Sequence, residues 1–135
     1  MGIIPGEGEG PLLLAGHSTG GLIASLYANE GEAKHRVSAL WLNSPFFDFN
    51  VAPAERYKLG LAAATGILFP FMRDSKGLPR DYAKSLHKDY GGQWDFDLRH
   101  KPLDGFPLHF GWIGAILPAH TRVRPGVSLS CPVLG

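Results

Sequence analysis

Apolar positions in the first third of the chain fall into three blocks with different periods. Leu12-Leu13-Leu14-Ala15 is an unbroken apolar run that ends at Gly16. A run this short, closed by a glycine, predicts a buried strand from Pro11 to Gly16. Leu22, Ile23, Leu26 and Tyr27 then recur at helical spacing. A helix is expected from Thr19 to about Asn29, with Gly31 as its stop. After a polar loop, Glu32 to Arg36, the segment Val37 to Leu42 is nearly continuous in apolar residues. That pattern predicts a second strand, covered on both faces as in a parallel sheet. Strand, helix and strand at this spacing make a βαβ unit with a right-handed crossover.

From Pro45 the pattern changes to helical blocks and aromatic loops. Pro53 and Glu55 open an expected helix to about Phe69, with Tyr57, Leu61, Ala64 and Leu68 on one face. Pro79 opens a short helix through His87, closed by Gly91-Gly92, and Gln93 to Pro107 reads as a loop. A third helix is expected over Leu108 to Thr121, with Phe110, Ile113 and Leu117 in register and Pro118 as a kink or interruption. Cys131 to Gly135 reads as the start of another core strand. The leader, residues 1–10, is too rich in glycine for helix or strand. The fold class is therefore α/β: a βαβ core over residues 11–44, then a mainly helical insertion over 45–130.

Composition narrows the partners. The 135 residues carry 13 Lys+Arg against 12 Asp+Glu, a net charge of +1, so nucleic acid and anionic membrane surfaces have no electrostatic claim on this chain. No apolar run approaches the ~20 residues of a membrane span. The N-terminus lacks the regions of a signal peptide. Cys131 is the one cysteine, so no internal disulfide is available. A cytoplasmic location is the expectation from these missing signals.

The chemistry concentrates where the first strand meets the first helix. Gly16-His17-Ser18-Thr19-Gly20 has the spacing G-x-S-x-G, a strand-to-helix turn that exposes a serine hydroxyl. Ser18 is the candidate nucleophile. Gly16 and Gly20 flank it where a Cβ is expected to collide with a neighbouring element. The backbone N–H of Thr19 is the candidate oxyanion donor, at the positive end of the helix dipole. An ordinary serine in a glycine-rich turn is the plain alternative, and the apolar run before the turn and the helical spacing after it weigh against that.

The segment Leu12 to Ala28 resembles the nucleophile-elbow region of the α/β-hydrolase superfamily. Gly-His-Ser-Thr-Gly-Gly, followed by Leu42-Asn43-Ser44-Pro45-Phe46-Phe47-Asp48, is similar to the lysophospholipase and monoacylglycerol-lipase-like branch, the serine aminopeptidase S33 type. The resemblance runs from about Pro11 to the C-terminus and covers the middle of such a hydrolase. It implies that residues 45–130 form a cap and that Ser18 attacks an ester carbonyl to give an acyl-enzyme. It also implies a small-molecule ester or lipid substrate. In the family the catalytic acid follows the strand that begins at Cys131, and the histidine comes later still, so both are expected to lie outside these residues.

Within the chain, Asp48 is the candidate acid, and a turn or helix cap is its plainer role. His109 and His120, on the third helix, are the candidate bases. His17 adjoins Ser18 and should point away from it, and His87 is expected on an exposed helix. Phe46, Phe47 and Phe49 follow the C-terminal end of a strand beside the elbow, the end where open α/β sheets bind ligands. They are the candidates to line an acyl pocket, although most of the aromatics are expected simply to fill a core. No metal or cofactor is expected, since the histidines show no HExxH pairing and Cys131 stands alone. A reading of another class stays open: a non-catalytic hydrolase remnant that associates with another chain, or with its own copy, through open sheet edges.

Overall fold

In the computed structural model, which describes residues 10–74, 84–103 and 106–135, the βαβ pattern is present. In chain order the elements are β1 (Leu12–His17), α1 (Thr19–Glu30), β2 (Val37–Asn43), α2 (Arg56–Leu68), β3 (Arg73–Asp74), β4 (Leu108–His109), α3 (Phe110–Val123) and β5 (Val133–Leu134). The chain divides into two compact units. The first takes the residues through Asn50 and again from Pro118, and the second takes Val51–Leu117. Residues 45–50 and 118–130 thus group with the sheet. The leader 1–9 and the start of the expected helix at Pro79 lie outside the described residues.

The first unit is built on a three-stranded sheet in the order β1-β2-β5. Both pairs are parallel. Leu14 lies beside Leu40, Gly16 beside Leu42, and Trp41 beside Leu134. Helix α1 covers one face, where Ala24, Ala28, Leu40 and Leu42 form the core with Leu14, Leu129 and Cys131 against it. Polar ties fasten the C-terminal segment to α1. Arg122 pairs with Glu30, and the Ser128 N–H donates to Asn29 Oδ1 at 2.9 Å.

The strands are less buried than their apolar runs predict. Leu13 is 62% exposed and Trp41 48%. The apolar runs require two covering layers, and α1 supplies one. Leu13, Ala15, Trp41 and Leu134 share the other face by register, and all four are exposed.

In the second unit α2 also departs from expectation. Tyr57, Leu61 and Leu68 are all exposed, as is Ala64, so the face built from these four is not the packed one. Small residues pack instead. Gly66 is buried so tightly that a Cβ there would run into the Phe110 carbonyl. A glycine lets two backbones approach closely, and this contact sets which side of α2 faces inward. Strands β3 and β4 form an antiparallel pair, Arg73 opposite His109. Helix α3 begins at Phe110 and buries Ile113 and Ile116. It continues through Pro118 to Val123 without the expected interruption. Proline costs a helix one backbone hydrogen bond and some steric room, which neighbouring contacts can offset.

His87, expected on an exposed helix face, is 3% exposed. Residues 84–86 are helical, and His87 turns the chain out of that helix into the short 3-10 turn Lys88–Tyr90. Its Nδ1 accepts from the Asp89 N–H at 3.2 Å, and its Nε2 donates to the Phe96 carbonyl at 3.1 Å.

Candidate functional site

The elbow is built by β1 running straight into α1. Ser18 is the residue before the first turn of α1, with φ 52° and ψ −121°. A positive φ is costly for a residue with a Cβ, about 1 kcal/mol or more, and persists only where neighbours over-determine it. Here they do. The Ser18 N–H donates to the Asn43 carbonyl at 3.1 Å. The Ser18 carbonyl accepts from Gly21 at 2.9 Å, from Leu22 at 3.4 Å and from Phe46 at 2.9 Å. Both peptide groups of the turn are clamped between α1, the last residue of β2 and Phe46 just beyond it.

The glycines divide their work differently from the expectation. A Cβ on Gly16 would lie 2.5 Å from the Gly20 carbonyl oxygen and 2.7 Å from Gly21 Cα. At Gly20 it would meet nothing within 4 Å. The second crowded position is Gly21, where a Cβ would stand 2.7 Å from Pro45 Cβ. Gly20 contributes its backbone to the close approach, and the space on its own Cβ side is open.

Ser18 is exposed, and its hydroxyl stands at the N-terminus of α1. Among the described residues, no carbonyl accepts the Thr19 N–H, one of the orphan donors of a first helical turn. The geometry can therefore present a hydroxyl and an unpaired N–H to one carbonyl group. No imidazole or carboxylate of the described residues is hydrogen-bonded to the Ser18 hydroxyl.

The other candidates lie in several places. His17 is exposed and donates through Nδ1 to the Asn43 carbonyl at 3.0 Å, which leaves Nε2 as the ring acceptor. Asp48 is exposed and accepts the N–H of its neighbour Phe49 at 2.9 Å, a local turn. His109 is half-buried on β4 in the second unit, whereas Ser18 is in the first. His120 is 2% exposed. Its Nε2 donates to the Phe46 carbonyl at 2.9 Å, and its Nδ1 is buried without a partner. Held this way, neither His120 nitrogen is hydrogen-bonded to Ser18 as a base would be.

Phe46 and Phe49 meet edge to face at 5.0 Å, and their rings lie 4.9 and 5.3 Å from the His120 ring. These two are occupied with one another and with His120. Phe47 instead lines an open cleft of about 430 Å³ with Asp48, Val123, Arg124, Gly126 and Val127. Sequence reasoning did not find the aromatic box around His120. Its parts are 71 to 74 positions apart, and no local spacing signals it.

Among the described residues no group of three or more His, Cys, Asp or Glu side chains could hold a metal ion. No helix there is long and apolar enough to cross a membrane. Glu55, Asp97 and Lys88, all in the second unit, have pKa values shifted by surface partners. Lys58 lowers Glu55, Arg99 lowers Asp97, and Asp95 raises Lys88. A comparison with family models, with curated proteins and with solved structures finds no match to this chain.

Proposed function

We propose that this chain carries the nucleophile of a serine hydrolase, with Ser18 forming an acyl-enzyme on a carboxylic ester. The supporting observation is the Ser18 backbone, held at φ 52° between a parallel strand and a helix N-terminus. A strained, over-determined turn with an exposed hydroxyl is the form that nucleophile elbows take. The Thr19 N–H supplies one oxyanion donor. Attack by the Ser18 oxygen would expel the alcohol and leave the acyl group on the serine, which water then releases. The resemblance to lysophospholipases and monoacylglycerol lipases favours an acyl ester over a peptide. Turnover by these residues alone should be weak, since the serine proton needs an acceptor and none is bonded to the hydroxyl. A fluorophosphonate probe tests the nucleophile directly. An adduct on Ser18 that is absent in Ser18→Ala is expected, and an unlabelled native chain would overturn the reading.

One observation favours a second reading, a module that associates through its sheet. Parallel sheets are ordinarily covered on both faces, yet Leu13, Ala15, Trp41 and Leu134 leave one face apolar and open. Sedimentation velocity at several concentrations decides this. Mass that grows with concentration and falls back in Trp41→Lys supports association, whereas a concentration-independent monomer would rule it out.

A further inference from the structure

His120 stands 102 positions from Ser18 in sequence and connects to it through the backbone of one residue, Phe46. The Phe46 N–H donates to the Ser18 carbonyl at 2.9 Å, and the Phe46 carbonyl accepts from His120 Nε2 at 2.9 Å. A carbonyl oxygen can only accept, so Nε2 carries the hydrogen. The Phe46 and Phe49 rings stand edge-on against the imidazole, and its Nδ1 is buried without a partner. A buried polar atom left unsatisfied is costly. If His120 only filled space, leucine would serve without that cost. The imidazole is therefore best accounted for by the one hydrogen bond it makes.

We propose that His120 is a positioning residue for the Ser18 elbow, acting as a latch on the Phe46 peptide. The latch holds the Ser44–Phe49 segment against the turn. Ser44, with φ 45°, is the second non-glycine residue at positive φ among those described. Two strained residues, Ser18 and Ser44, thus flank the clamped peptide groups, and His120 adds the restraint that α1 and β2 do not provide. The role in catalysis rests on the Ser18 nucleophile reading, while the latch itself does not.

The experiment uses the full chain and two readouts, amide hydrogen exchange at Phe46 and the rate of fluorophosphonate labelling at Ser18. In His120→Leu, exchange at Phe46 is expected to accelerate about tenfold, the effect of one lost hydrogen bond on local opening. Exchange at Leu40, whose N–H donates to Pro132 at 3.0 Å, should stay unchanged and report the intact sheet. Labelling should slow by a similar factor. His120→Gln places an amide N–H close to the Nε2 position and should restore both, whereas His120→Asn is too short and should not. The Gln and Asn pair decides the matter even where the leucine variant does not fold. Equal Phe46 exchange in Gln and Asn would overturn the latch. Faster exchange with unchanged labelling would overturn its role in positioning Ser18. A native chain that takes no label overturns the nucleophile reading instead, and Phe46 exchange that still follows the Gln and Asn pair supports the latch.

Discussion

Among the described residues two imidazoles are buried, His87 in the second unit and His120 in the first, and they are buried on different terms. His87 uses both nitrogens on groups two and nine residues away, so its ring closes a local loop and nothing polar is left over. His120 uses one nitrogen on a carbonyl 74 positions away and leaves the other unsatisfied. A fully satisfied histidine at a helix end is a fold device. A half-satisfied one, set where two distant segments meet beside a strained serine, accepts a stability cost for the sake of position.

The contrast can be tested from the largest effect downward. Gly16→Val should destabilise the first unit most, by about 3 kcal/mol, because its Cβ would meet Gly20 backbone that cannot move aside. Gly20→Ala, with open space at the Cβ, should be near neutral. Urea unfolding of the two variants checks this, and equal midpoints would break the account of the elbow.

Next comes the histidine pair. His87→Leu orphans both the Phe96 carbonyl and the Asp89 N–H and should cost about 2–3 kcal/mol. His120→Leu orphans one carbonyl, removes an unsatisfied nitrogen and keeps an apolar fit among phenylalanines. It should cost about 1 kcal/mol or less. The order matters more than the values. A costlier change at His120 would mean that its role is structural like that of His87.

Ser18→Gly should move stability the other way, a gain of about 1 kcal/mol in thermal or urea unfolding, since glycine relieves the positive φ. The same variant should lose all labelling by the probe. A loss of stability would show that the turn is not strained as its geometry indicates.

The smallest effect lies on the surface. The Asp97 carboxyl is lowered by hydrogen bonds from the Arg99 side chain and backbone. A group with a depressed folded pKa adds stability above its unfolded value, and that stability is lost as pH falls through the folded one. NMR titration should therefore place Asp97 below the ordinary aspartate midpoint of about 3.9. Arg99→Gln should bring it back, with little effect on stability because the pair is exposed.

Local backbone structure was legible in the chain. The elbow spacing, the start of α1 at Thr19 and the nearly continuous apolar run of Val37 to Leu42 depend on neighbours a few residues apart. Their backbone outcome followed the pattern. Burial was not legible in the same way. An apolar run states what a strand could bury, and Leu13 and Trp41 stay open because, among the described residues, α1 alone covers the sheet. The face of α2 was misread for a related reason: the large residues that suggested a core lost to Gly66, whose advantage exists only against the Phe110 backbone.

The sequence by itself therefore determined the parallel βαβ start and the place of Ser18 on it, because short apolar runs, glycine spacing and helix onset are short-range. Only the tertiary structure decided which glycine is crowded, which histidine is satisfied, and that His120 reaches Ser18 through Phe46. Those outcomes depend on distances between segments far apart in the chain, and no spacing along the chain encodes them.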